Sequence, residues 1–145
     1  MNKLLQAEDN LDQDKEHFWS IGCHERNISF IDLVSLGTVN RCVVHPREVF
    51  RMAIIGCCTS IYFAHNHPHG GKAEPSDSDV SLIKRLSSAG KLLKIPVKDF
   101  IILGSRGDDD YSFNYFSFLE KYPKALKIMN RVEIPTENDE KQTIS

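Results

Sequence analysis

The sequence predicts a single α/β (α+β) domain in which helices pack against a mixed β-sheet. Three observations predict it. Short runs rich in branched and aromatic residues alternate with two stretches of helical spacing. Gly, Pro and Asp/Asn clusters punctuate those runs. Finally, 145 residues at 41% apolar and 26% charged composition suit one domain whose core needs no staple.

The elements follow in order. Residues 1–14 read as a mobile acidic leader, and the domain as residues 15–122. Phe18 to Cys23 forms a strand, His24 to Asn27 a turn, and Ile28 to Leu36 a second strand ended by Gly37, which together make a hairpin. Pro46 suits the first turn of a helix. Val49, Phe50, Ala53 and Ile54 supply that helix's inward stripe, and Gly56 ends it. Ser60 to Ala64 is a short strand. Ser76 opens the long helix, with Val80, Ile83, Leu86 and Leu93 facing inward. Val97 to Leu103 is a buried strand, Gly104 to Asp110 a loop, and Tyr111 to Phe116 a last strand. Residues 123–145 form a polar tail, disordered from Thr136 onward.

Composition excludes several classes. No stretch approaches the roughly 18 apolar residues that span a bilayer. The first ten residues turn acidic where a signal peptide needs an apolar run, so the expected location is cytoplasmic. Cys23, Cys42, Cys57 and Cys58 lack Cys-x-x-Cys spacing, which argues against a zinc ribbon; Cys57 and Cys58 read as small core residues. A net charge of −2 gives no support to sequence-blind DNA binding. Lys84, Arg85, Lys91, Lys94 and Lys98 make one basic patch, read as the solvated side of a helix and its flank.

The chemistry is concentrated in His65-Asn66-His67-Pro68, followed by a Gly-containing loop and Pro75-Ser76-Asp77-Ser78-Asp79. Histidines at i and i+2 of a strand end project to one side. Pro68 stops the strand, Gly70-Gly71 permits a reversal, and Asp79 falls in the first turn of the next helix. Two imidazoles and a carboxylate form a three-ligand set for Zn²⁺ that keeps a fourth position open, as catalytic sites do. Ser76-x-x-Asp79 is equally a helix-capping pattern, and taken alone it says nothing of metal. The whole arrangement together points to a metal site.

These residues resemble the JAMM signature of JAB/MPN-domain metalloproteases and, within that superfamily, the RadC-like proteins. Glu16-His17-Phe18-Trp19, Leu36-Gly37-Thr38, Val44-His45-Pro46-Arg47-Glu48-Val49-Phe50 and Tyr111-Ser112-Phe113 resemble that family's segments too, so the likeness covers about residues 16–114. It implies a JAB/MPN-like mixed β-sheet sandwiched by helices. It also implies a zinc hydrolase cleaving peptide or isopeptide bonds, with His65, His67 and Asp79 on the metal, Glu16 as general base and Ser76 at the oxyanion. Without the resemblance, Glu16 reads as a surface carboxylate at a strand entrance, and Ser76 as an N-cap.

Two departures stand out. The loop from His69 to Pro75 is one residue longer than is usual in the family, and Asp99-Phe100 stands where the family tends to carry Asp-His. Of the other histidines, His45 flanks the Pro46 helix, His17 and His24 are expected exposed, and His69 is a loop group facing solvent or substrate. RadC-like proteins also carry a DNA-repair label, and longer members add an N-terminal helix-hairpin-helix, for which this chain is expected to lack room. Nucleic-acid processing or binding is therefore the alternative reading, with a non-catalytic scaffold as the third. The contiguous letters His-Asn-His are not an HNH nuclease motif, whose residues are spread along a hairpin and helix. The substrate is left open, as is a partner protein or homo-oligomer.

Overall fold

The computed structural model describes residues 15–37, 44–68, 72–104 and 114–131. Its hairpin, β1 (His17–His24) and β2 (Asn27–Leu36), is antiparallel; β1 also pairs antiparallel with β3 (Ser60–Asn66). β3 runs parallel to β4 (Val97–Leu103), and β4 antiparallel to β5 (Tyr115–Ser117), giving the order β2-β1-β3-β4-β5. The sheet is mixed, as the sequence predicts. Two short helices, α1 (Pro46–Val49) and α2 (Arg51–Ile55), precede β3, and the 17-residue α3 (Asp77–Leu93) makes the crossover to β4. Parallel strands need such a crossover, and here it brings the start of α3 to the end of β3.

Period-two alternation divides the sheet's side chains. Phe18, Phe63, Phe100 and Ile102 join Val49, Phe50 and Ala53 of α1–α2 and Ile83 and Leu86 of α3 in the main core. Trp19, Ile21, Cys23, Ala64 and Leu103 form a second cluster on the other face. Phe18 packs on Phe63 and Phe100 with ring centroids 5.6 and 6.0 Å apart, directly beneath the end of β3.

Several expectations need correction. The Pro46 helix is broken at Phe50, and Ile54 is exposed: at about 100° per residue it turns away from the arc shared by Val49, Phe50 and Ala53. Leu93 is exposed as well, because Lys94 closes α3 in the left-handed conformation (φ 58°) and Ile95 takes the buried place, its N–H reaching the Gly90 carbonyl. Cys57 is exposed in a positive-φ turn, whereas Cys58 and Cys23 are core residues. Burial, reinforced by nearby Cys58, pushes the Cys23 thiol pKa up.

His17, expected exposed, is fully buried, since β1 lies between two strands. His24 is exposed as expected, and His45 flanks α1 without capping it through its side chain. Order continues past residue 122 through α4 (Phe118–Lys121) and α5 (Pro123–Met129), with Leu126 in the core. Asn130 then pins this end to β4 through both polar atoms of Val97. Cys42, His69 and residues 111–113 of the anticipated last strand lie outside the described residues. Among the described residues no helix is long and apolar enough to cross a membrane.

Candidate metal centre

The site is built where β3 ends and α3 begins. β3 extends two residues beyond the expected strand, so that His65 sits within the sheet, opposite Phe18 of β1 and Ile102 of β4. His67 leaves the strand, but its N–H still donates to the Leu103 carbonyl at 2.7 Å. Its ring Nδ1 donates to the Lys72 carbonyl at 3.0 Å, which aims Nε2 the other way. The two rings meet edge-on at 4.7 Å.

Asp79 arrives from α3. Ser76 caps that helix, its Oγ accepting from the Asp79 N–H at 3.2 Å, while the Asp79 carboxylate accepts from the Ser76 N–H at 2.8 Å. This capping box holds the carboxylate against the two histidines. His65 Nε2 lies 3.3 Å from Asp79 Oδ1, and His67 Nε2 lies 3.3 Å from Oδ2. The capping box and the cluster of possible ligands therefore meet at Asp79.

The electrostatics follow from burial and contact. Burial opposes the charge on Asp79, but hydrogen bonds from His65, His67 and Ser76 outweigh it and hold its carboxyl well below the usual carboxylate range. His67 is shifted upward, chiefly by its bond to Asp79; desolvation opposes this, and the Lys72 carbonyl and the charges of Asp79 and Glu16 add to it. With an acceptor at each nitrogen, the ring of His67 favours the doubly protonated form.

The donor set fits a metal ion. One ligand atom each from His65, His67 and Asp79 lies within 4.8 Å of the others. Each histidine Nε2 lies 3.3 Å from one oxygen of the Asp79 carboxylate, close to the spacing of two ligands that share one zinc at bonds of about 2.0–2.1 Å. The Lys72 carbonyl already holds the His67 Nδ1–H, so that Nε2 is the nitrogen that would give up its proton to such an ion. His65 Nδ1 is buried and meets no hydrogen-bond partner.

Glu16 and Ser76 line the same cavity of about 310 Å³ as these three residues, against an apolar wall of Phe18, Val44 and Leu82. The Ser76 hydroxyl is engaged at both ends, since it also donates to Asp79 Oδ2 at 2.7 Å. Arg85, read from sequence as part of a solvated patch, lines the cavity as well and donates to the Val44 carbonyl at 3.0 Å. Its helical spacing from Asp79 and Leu82 was the available signal. Asn66, between the two histidines, bonds away from the cavity. Its amide accepts from the His17 N–H and donates to the Lys15 carbonyl. Phe100 is fully buried among Phe18, His65 and Phe118, so the departure from Asp-His lies in the core.

A mixed five-stranded sheet bearing a His-x-His strand end and an aspartate on the following helix defines a domain of JAB type with three residues that could hold a metal ion. The chain belongs to the RadC-like JAB domain family, whose model matches residues 1–121. It is similar to UPF0758 proteins: 43% identical over 101 residues to one from Desulforamulus reducens, covering 69% of this chain and 44% of that protein. The protein from Caldanaerobacter subterraneus is 42% identical over 106 residues (72% and 45%), and that from Methanosarcina acetivorans 39% over 94 residues (64% and 41%). The chain thus spans less than half the length of these relatives.

Proposed function

We propose that this domain is a zinc-dependent hydrolase of JAMM type that cleaves amide bonds in a peptide or protein, as a peptidase or isopeptidase. One observation carries the reading: His65 and His67 converge through Nε2 on opposite oxygens of buried Asp79, at the wall of a cavity that Glu16 also lines. A zinc ion held by His65, His67 and Asp79 would supply a water whose pKa is lowered to about 7, a usable nucleophile at neutral pH. Glu16 would take the proton and return it to the leaving amine. Ser76, its proton turned from Asp79 toward the cavity, would donate to the oxygen on which charge develops. The apolar wall of Phe18, Val44 and Leu82 would hold water away from those charges.

Glu16→Gln tests the reading. The variant should fold and bind zinc with unchanged stoichiometry, yet lose about 100- to 10,000-fold in rate on whichever member of a peptide and isopeptide panel the parent protein cleaves. Chelator-sensitive cleavage of single-stranded DNA, with no peptide cleaved, would favour nucleic-acid processing instead. A Glu16→Gln protein of full activity would remove Glu16 from the mechanism.

A further inference from the structure

Building on the reading of Glu16 as proton acceptor, we infer that Asn66, the residue between the two histidines, is the positioning residue for that base. Alternation along β3 puts Asn66 on the face of the sheet away from His65, where it is buried to 3% exposure. Both of its polar groups are spent on distant backbone. Oδ1 accepts from the His17 N–H, and Nδ2 donates to the Lys15 carbonyl at 3.0 Å. Those two groups flank Glu16 on either side.

The ladder explains why a side chain is needed here. The last backbone pair between β1 and β3 is Phe18 with His65, so residues 15–17 lie beyond the ladder on the β3 side. A carboxamide carries the same donor and acceptor as a peptide group, and that of Asn66 takes the ladder's place. On the β2 side, the Gly37 N–H donates to the Glu16 carbonyl at 2.8 Å. The His17 ring braces the same segment: its Nδ1 lies 2.9 Å from the Lys15 carbonyl, and it stacks on Trp19 at 5.0 Å and 11°. The backbone on both sides of Glu16 is therefore fixed from two neighbouring strands.

A base works only within hydrogen-bond reach of its proton, and a misplacement of about 1 Å can cost on the order of 100-fold in rate. Asn66 meets neither the ion's ligand atoms nor the cavity. It acts through Glu16, so one tripeptide supplies two metal-facing imidazoles on one side and the grip on the base from the other.

The test uses the full chain, metal-free and cobalt-loaded, with Asn66→Ala, Asn66→Asp, Glu16→Gln and the Asn66→Ala/Glu16→Gln double variant. In the metal-free protein, the His17 amide should exchange with solvent about tenfold faster in Asn66→Ala, as loss of one buried hydrogen bond requires, while the amides of Trp19 to Gly22 keep their protection. Unchanged exchange at His17 would overturn the grip. In the cobalt-loaded protein, the pH midpoint of the visible absorption should move in Glu16→Gln. It should move the same way in Asn66→Ala, and no further in the double variant than in Glu16→Gln alone.

A midpoint that responds to Glu16→Gln but not to Asn66→Ala would overturn the positioning role while leaving the base assignment intact. A midpoint indifferent to Glu16→Gln would overturn the base assignment, and the positioning role with it. Should Asn66→Ala fail to fold, Asn66→Asp keeps the acceptor for His17 but turns an oxygen on the Lys15 carbonyl. It should protect the His17 amide and still move the midpoint; an unmoved midpoint there would overturn the proposal.

Discussion

Asp79 and Asp99 are two buried aspartates, 5% and 6% exposed, that meet different fates. Each accepts a hydroxyl hydrogen bond from a serine that opens a helix, Ser76 at 2.7 Å and Ser117 at 2.6 Å. They diverge in their other partners. Asp99 Oδ1 takes the N–H groups of Phe100 and Leu119, at 2.8 and 2.9 Å, which are fixed parts of β4 and α4. Asp79 takes one such N–H, from Ser76, and then turns both oxygens to imidazoles. A carboxylate saturated by peptide donors is a joint in the fold. One that faces groups able to trade a proton for a metal is a site.

The widest separation between the two should appear on truncation. Asp79→Ala is expected to weaken zinc binding by more than the roughly 100-fold reached by altering a ligand's supporting partners. Asp99→Ala should leave zinc stoichiometry at the parent value but cost roughly 3 kcal/mol of unfolding free energy, because it strands buried donors on Ser117 and Phe100 and a half-buried one on Leu119. Zinc titration and urea denaturation of both variants measure this. Zinc retained in Asp79→Ala, or lost from a folded Asp99→Ala, would erase the distinction.

The pH dependence sharpens it. The pKa of His67 is raised, chiefly by Asp79, so the bond between them stabilises the metal-free protein fully below the unfolded value of about 6.5 and is lost as pH rises through the raised folded value. Zinc needs the opposite state, with Nε2 bare. Acidification should therefore weaken zinc binding by about tenfold per pH unit below the raised His67 value, one proton being exchanged for the ion. On the His67 side, the metal-free fold gains stability only as pH falls from that raised value to the unfolded one of about 6.5. The Asp79 contribution is present above its unfolded value near 3.8 and fails only as pH falls toward its depressed folded value. Isothermal titrations at several pH values check the slope; a flat profile between pH 6 and 8 would contradict the proton exchange.

What the sequence made legible was whatever local pattern decides. The hairpin, the crossover helix and β4 follow from periodicity and turn residues, and the meeting of His65, His67 and Asp79 follows from a strand end and a helix start joined by a short loop. Contacts made by backbone atoms at long range left no such pattern. The Lys72 carbonyl that orients His67 could belong to any residue type, and the Asn66 partners lie 49 and 51 residues away. His17 looked exposed because a strand's start says nothing of how many neighbours it will gain; two strands bury it. Helix ends misled in the same way: the left-handed turn at Lys94 passes the inward position from Leu93 to Ile95. Asp99 read as half of an altered pair, yet its bonds to Ser117 and Leu119 make it part of the frame.

The smallest contrast lies in the two serines. Ser76 accepts from the Asp79 N–H and Ser117 from the Glu120 N–H, so each caps a helix, and each donates its own hydroxyl hydrogen bond to a buried aspartate. Ser76→Ala removes a cap worth about 1 kcal/mol from the 17-residue α3, while Asp79 keeps the Ser76 backbone N–H. With the hydroxyl's bond to Asp79 lost as well, unfolding free energy should fall by roughly 1–3 kcal/mol, and zinc affinity by less than tenfold, since the ligand atoms stay in place. Ser117→Ala uncaps only the four-residue α4 and takes a hydroxyl donor from Asp99, as Ser76→Ala takes one from Asp79. It should cost a similar amount of stability, roughly 1–3 kcal/mol, with zinc affinity unchanged. Rate then separates cap from catalyst. With zinc saturating, Ser76→Ala should slow turnover by about 100-fold if its hydroxyl serves the oxyanion. A variant that loses only the cap's stability and turns over at the parent rate would make Ser76 what Ser117 is, a structural cap that steadies an aspartate.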